Sequence, residues 1–193
     1  MQEFSSLGLS QPTIDAIEEL GFETPTSIQA GAIPKLLNSE SDFIGLAQTG
    51  TGKTAAFGLP LMELVDPELP YAQGLVLAPT RELCLQISNQ LESFGKYRKK
   101  TRLLAVYGGT DIGRQIRQLK KGVHILVATP GRLRDLLERK AADISRISYL
   151  VLDEADEMIN MGFRAEIDEI LENAPSARTT WLYSATMSRE VRR

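Results

Sequence analysis

One cysteine, one histidine, one tryptophan and no long hydrophobic run mark what this 193-residue sequence has little of. The lone thiol, Cys84, excludes an internal disulfide and any zinc site built on several cysteines. The most apolar stretch, AAFGLPLMELV from Ala55, is too short to cross a bilayer and carries Glu63. The opening MQEFSSLGLS has neither the basic nor the apolar region of a secretory signal. The expectation is an intracellular, cytoplasmic protein with no membrane partner. The length gives room for one domain with a substantial core.

The net charge of −3 conceals a strong asymmetry. Residues 1–95 carry 3 Lys/Arg against 12 Asp/Glu, and residues 141–175 carry 2 against 9. Residues 96–140 carry 13 basic residues against 3 acidic ones, a local charge of +10. Taken alone, Lys96, Arg98, Lys99, Lys100 and Arg102 read as a solvated loop. Basic residues recur at Arg114, Arg117, Lys120, Lys121, Arg132, Arg134, Arg139 and Lys140, which suggests a face turned toward a polyanion.

Six short apolar runs read as strands: FIGLA from Phe43, GLVLA from Gly74, LLAVY from Leu103, HILVA from His124, ISYLVL from Ile147 and TTWLY from Thr179. Their near-continuous apolar character suits parallel strands covered on both faces. Helical spacing fills the intervals, as at Leu83, Ile87, Leu91 and Phe94, or at Ile167, Ile170 and Leu171. Two helices precede the first strand, over Gln11–Leu20 and Thr26–Leu37. The alternation predicts an α/β fold, an open parallel β-sheet with helices on both faces. His124 and Trp181 fall in these strands and read as core or edge residues, and Cys84 as a small buried one.

Each strand runs into a polar cluster: QTGTGKT, PTREL, GGT, TPGR, DEAD and SAT, in chain order. Ligands bind outside the carboxyl ends of strands in open parallel sheets, so six such clusters on one edge predict an active face. The segment Ala47–Thr54 has the makings of a phosphate loop, with Ala47 where the strict pattern places its first glycine. Thr49, Gly50, Thr51 and Gly52 turn backbone N–H groups toward an anion at a helix start. Lys53 is placed to neutralise terminal phosphates, and the Thr54 hydroxyl to ligate Mg²⁺. The carboxylates after YLVL supply the second half. Asp153 would hold Mg²⁺ through water and Glu154 would orient or deprotonate the attacking water, while Asp156 lies too far along the turn for the same task. By itself DEAD also reads as the acidic first turn of a helix.

The ordered set AQTGTGKT, PTREL, GG, TPGR, DEAD and SAT, with GFETPTSIQ upstream, resembles the DEAD-box ATP-dependent RNA helicases. The match is to the amino-terminal RecA-like domain of that P-loop NTPase family. It implies one such domain over residues 1–193, with the adenine-reading Q-motif region at residues 4–29. By that resemblance Gln29 reads the adenine edge and Phe22 stacks on the base, with Phe4 the isolated upstream aromatic. Without it, Thr26 to Gln29 is a capping box in which Gln29 reaches back to the helix start.

The resemblance further implies ATP and Mg²⁺ as cofactors, and single-stranded or duplex RNA held by its sugar-phosphate backbone. Pro79, Thr80, Arg81, Gly108, Gly109, Thr129, Pro130, Gly131 and Arg132 would make that grip, which positions a strand without reading bases. Ser184 and Thr186 would bond Asp156 and couple hydrolysis to unwinding. A second, carboxy-terminal RecA-like domain, absent from this sequence, is expected to complete the ATP site with arginines. The isolated domain would then bind nucleotide, hydrolyse ATP poorly and not unwind efficiently alone. Other readings are a nucleotide-gated RNA clamp with little turnover, a DNA-directed helicase, or a plain P-loop kinase or transporter ATPase. The last would have no use for TPGR and SAT.

Overall fold

The computed structural model describes residues 3–189 and 191. A short 3-10 turn at Phe4–Leu7 leads into helices α1 (Gln11–Glu19) and α2 (Ser27–Asn38). Strand β1 (Phe43–Leu46), α3 (Lys53–Leu64), β2 (Gly74–Leu77) and α4 (Arg81–Phe94) follow. Next come β3 (Leu103–Val106), α5 (Ile112–Leu119), β4 (Ile125–Ala128), α6 (Pro130–Glu138) and β5 (Tyr149–Leu152). The described chain closes with α7 (Ala155–Asn160), α8 (Arg164–Asn173) and β6 (Thr179–Ser184).

The strands form one sheet in the order β1-β6-β5-β2-β4-β3, and every neighbouring pair is parallel. Successive side chains of a strand point to opposite faces, and both faces here are dry. Val76, Ile125, Val127, Val151, Trp181 and Tyr183 join the core under α1–α4. Leu75, Leu77, Leu126, Leu150 and Leu152 join a second core with side chains of α6–α8, onto which α5 packs. Burying a Leu or Phe in such a core contributes about 1.5–3 kcal/mol. That explains why the runs lack the alternation of a half-wet strand. The edge strand β1 is the exception. Its Ile44 and Leu46 lie opposite Leu182 and Ser184 and are each 59% exposed.

Cys84 and Trp181 are fully buried, as their patterns predicted. Burial pushes the Cys84 thiol up to about 12, so it is an inert core group. His124 ends just before β4 rather than within it. It is buried, and its Nδ1 accepts from the Arg102 N–H at 3.0 Å.

The basic segment does not form the single polyanion-facing side that its recurrence suggested. The 95–102 loop precedes β3 and therefore sits at the amino edge of the sheet, away from the strand ends that carry the motifs. Lys96 pairs with Glu19, Arg98 with Glu63 at 3.1 Å, and Lys100 with Glu68 at 2.6 Å. The acid-rich first half of the chain thus meets this cluster in space. Lys120, Lys121, Arg139 and Lys140 also precede strands, whereas Arg132 opens α6 at the carboxyl edge. Among the described residues, no helix is long and apolar enough to cross a membrane.

Candidate nucleotide and RNA site

Parallel strands place all their carboxyl ends on one edge, and the six sequence clusters assemble there. The segment after β1 is held at its root by the Ala47 N–H, which donates to the Ser184 carbonyl at 3.1 Å. It turns through Gly50 (φ 81°) and Gly52 (φ 87°) before α3 begins at Lys53. Position 52 has two reasons to be glycine. Its left-handed backbone disfavours a side chain, and an added Cβ would lie 2.4 Å from Gln29 Nε2.

Gln29 performs the capping role and one more. Its Oε1 accepts from the Thr26 N–H at 2.9 Å, closing the capping box of α2. Its Nε2 donates to the Gly52 carbonyl at 3.1 Å, and the Thr26 hydroxyl donates to the Thr51 carbonyl at 2.9 Å. The upstream motif is therefore tied to the phosphate loop. Phe22 is half-buried and lies edge-on to both Phe4 (5.8 Å between ring centroids) and Phe94 (6.0 Å). Phe4 itself is buried, so it fixes the Phe22 ring and does not present a face of its own.

Phe22, Gln29, Thr49, Gly50, Gly52, Lys53, Thr54, Asp153 and Glu154 are among the residues lining a cleft of about 280 Å³. Lys53 and Asp153 are both buried, with Nζ 3.5 Å from Oδ1. Burial pushes the Asp153 carboxyl above the ordinary range, Lys53 beside it opposes the shift, and the burial wins. A carboxylate so placed is short of positive charge. Among the described residues no three His, Cys, Asp or Glu side chains gather to hold a metal by themselves. Thr54 and Asp153, both on the cleft, offer oxygen donors of the kind Mg²⁺ takes, one or two carboxylates together with substrate phosphates.

Glu154 has φ 53°, a left-handed conformation uncommon for a non-glycine residue. This turn links β5 to the six-residue α7 and separates the direction of Glu154 from that of Asp153. Two residues on, Asp156 Oδ2 accepts from the Thr186 N–H at 3.0 Å and the Thr186 hydroxyl at 2.9 Å. The Ser184 hydroxyl donates to the Thr186 carbonyl at 2.6 Å and accepts from the Asp156 N–H at 3.3 Å. Burial pulls the Asp156 carboxyl up, but the Ser184 and Thr186 bonds outweigh it and hold the group below the ordinary range.

The remaining motifs form a second cluster farther along the same edge. Thr80 caps α4, its hydroxyl accepting from the Leu83 N–H at 3.2 Å, and Pro79 is buried beneath it. Gly108, Gly109 and Gly131 are exposed, and Gly109 has φ 77°. The Thr129 N–H donates to the Val106 carbonyl, and Pro130 begins α6. Arg81 is exposed, with its guanidinium 5.0 Å from the centre of the Tyr107 ring. Arg132 turns inward, donating to Gln115 and to the Thr110 carbonyl. Tyr107 and Gln115 were missed in the sequence because no spacing rule marks them; only their neighbours in space do.

A family model described as DEAD/DEAH box helicase matches residues 26–193. The DEAD-box ATP-dependent RNA helicase CshA of Bacillus cereus is 51% identical over 193 residues, covering 100% of this chain and 36% of that protein. The relative of the same name from Geobacillus kaustophilus is also 51% identical, with 100% and 41% covered. The crystal structure of a DEAD box protein from the hyperthermophile Methanococcus jannaschii is similar with a TM-score of 0.94 and 41% identity. It matches 99% of this chain and 52% of its own. The chain therefore spans about two-fifths of the length of these curated relatives.

Proposed function

The chain belongs to the DEAD/DEAH box helicase family, and from that premise we propose that it is the amino-terminal RecA-like half of an ATP-dependent RNA helicase. In this reading residues 1–193 form one domain that binds ATP with Mg²⁺ and the RNA backbone side by side. It works with a second RecA-like domain, in the cytoplasm, to open short duplexes or remodel ribonucleoprotein. The observation that carries the proposal is the shared cleft. Gln29 and Phe22, the Gly50–Thr54 turn, and the Asp153–Glu154 pair come from separate parts of the chain and line one space.

Adenine would lie against Phe22 with Gln29 at its edge. Gln29 now bonds the Gly52 carbonyl, so base recognition and the shape of the phosphate loop share one amide. Lys53 supplies positive charge to the terminal phosphates. Thr54 and Asp153 would hold the metal, Asp153 through water; Mg²⁺ when bound supplies charge neutralisation to the phosphates. Glu154 orients or deprotonates the attacking water. Asp156, Ser184 and Thr186 pass the state of the acidic turn to β6. The RNA backbone lies over Pro79–Arg81, Gly108–Gly109 and Thr129–Arg132, where exposed glycines allow close approach. No base edge is read, so little sequence preference is expected.

Titration of the chain with a fluorescent ATP analogue and Mg²⁺ tests the nucleotide half. Saturable binding is expected, weakened at least about tenfold by Lys53→Ala, the loss of a charge-assisted contact. Binding indifferent to Lys53 would remove this cleft from consideration. In the complete protein, Glu154→Gln should retain ATP and stop turnover; unchanged hydrolysis would refute the role given to Glu154. A wild-type protein that clamps RNA with ATP yet never turns over would instead be a nucleotide-gated scaffold.

A further inference from the structure

We infer that Gln115 is the positioning residue of the RNA-binding edge, holding the Gly108–Gly109 turn and the Arg132 guanidinium in place for the phosphate backbone. The inference rests on the reading of that edge as an RNA site. Gln115 lies in α5 with 5% of its surface exposed, between the exposed Arg114 and Arg117 side of the helix and the core. A buried amide is costly unless its polar atoms are bonded, and here both ends are. Its Nε2 donates to the Tyr107 carbonyl at 3.2 Å and to Thr110 Oγ1 at 3.0 Å. Its Oε1 accepts from Arg132 Nη1 at 2.8 Å. The partners also fix which way the amide points, because a carbonyl only accepts and a guanidinium only donates.

These bonds clasp both ends of one turn. Tyr107 precedes Gly108–Gly109 and Thr110 follows, and the Thr110 hydroxyl also donates to the Tyr107 carbonyl at 3.3 Å. Arg132 Nη2 reaches the Thr110 carbonyl at 3.1 Å, so its fork spans the amide and the turn together. Arg81 covers the Tyr107 ring from the other side. One neutral side chain thus sets the glycine turn relative to Arg132, and Tyr107 carries the contact on to Arg81. The exposed N–H groups of Gly108 and Gly109 can face successive phosphates only while that turn keeps its shape. Preorganised donors bind more tightly because their ordering is complete before the ligand arrives. Two of the five Arg132 guanidinium N–H donors are used in these bonds, so its charge and its remaining donors stay in the site.

Gln115→Ala carries no charge change and releases the Arg132 guanidinium. If Gln115 only fills space on α5, RNA affinity is unchanged. If Gln115 shapes the turn, affinity falls, on the order of tenfold for losing bonds that include one to a charged group. The probe is a labelled single-stranded uridine oligonucleotide, titrated with the full chain, Mg²⁺ and a non-hydrolysable ATP analogue across a salt series. Gln115→Ala should lower affinity with an unchanged salt slope, since no phosphate contact is lost; losing one would reduce the slope by about 0.7. Arg132→Lys keeps the charge but not the fork, so it should behave like Gln115→Ala. Near-wild-type affinity in Arg132→Lys, or undiminished affinity in Gln115→Ala, overturns the inference. Should Gln115→Ala fail to fold by circular dichroism, Arg132→Lys, which keeps the charge at a part-buried position, is sufficient alone. Absence of RNA binding by the wild-type chain overturns the RNA reading, and this inference with it.

Discussion

Thr186 donates twice to a single oxygen of Asp156, its N–H at 3.0 Å and its hydroxyl at 2.9 Å from Oδ2. The contact joins the turn after β5 to the end of β6 and lies beside the carboxylates assigned to metal and water. A link so placed can transmit a change at the nucleotide without touching it. We predict that Thr186→Ala in the complete protein leaves nucleotide binding intact and lowers unwinding by about tenfold, the scale of one hydrogen bond to a charged group. Parallel measurement of ATP turnover and duplex separation decides it; equal losses in both would make Thr186 part of the hydrolytic machinery instead.

Asp153 and Asp156 stand three residues apart and shift in opposite directions. Burial raises Asp153, and the Ser184 and Thr186 bonds lower Asp156 against its own burial. On acidification Asp153 should therefore protonate first, which carboxyl NMR titration of the ligand-free chain can read. The linkage signs differ too. Asp156 contributes stability above the ordinary Asp value that is lost as pH falls through its depressed one; the strain of ionised Asp153 is relieved as pH falls through its raised one. Affinity for Mg²⁺–nucleotide should begin to fall at a pH above the ordinary Asp range, and Asp153→Asn should abolish that dependence. Simultaneous titration of the two groups would contradict the prediction.

Tyr183 is fully buried, and its hydroxyl has no hydrogen-bond partner among the described residues. The ring leans over Gly45, where an added Cβ would meet it at 2.8 Å, and packs against Phe43 and Phe57. Burial, helped by the nearby Asp153 carboxylate, pushes the phenol's pKa up. Tyr183→Phe keeps the packing and removes the stranded donor, so it should stabilise the fold by about 1–3 kcal/mol. Chemical denaturation measures this directly. A loss of stability would mean that the hydroxyl has a partner in solution.

Lys140 follows α6 with φ 54°, and the Ala141 N–H bonds the Leu136 carbonyl across it. Glycine is favoured at such helix ends because it has no Cβ to strain. Lys140→Gly should raise stability by about 0.5–1 kcal/mol, seen as a higher denaturation midpoint with an unchanged slope. Glu154, the other left-handed non-glycine among the described residues, sits at the proposed reactive centre, where strain is retained for function.

The sequence by itself determined the six strands, their parallel character and the edge on which function gathers. Those depend on short-range features: runs of apolar residues, helical spacing, and turns that follow each strand. The glycines, lysine and carboxylates proposed for the nucleotide were also legible, because each group directly follows an apolar run. The family resemblance supplied the adenine and RNA assignments that spacing alone left open.

Only the tertiary structure decided which charges meet. Lys96, Arg98 and Lys100 lie within a basic stretch of sequence, yet Glu19, Glu63 and Glu68 from distant segments neutralise them at the amino edge. Gln29 caps α2 and also bonds the Gly52 carbonyl, a contact that neither the cap nor the adenine reading of the sequence contained. Gln115 drew no attention in sequence because glutamine is common on exposed helix faces; its burial against Tyr107, Thr110 and Arg132 exists only once β3, α5 and α6 are packed. Local pattern fixes the elements, since each residue's conformation is set by near neighbours. Pairing across the sheet and its helices fixes the partners, because electrostatics and hydrogen bonding act through space and not along the chain.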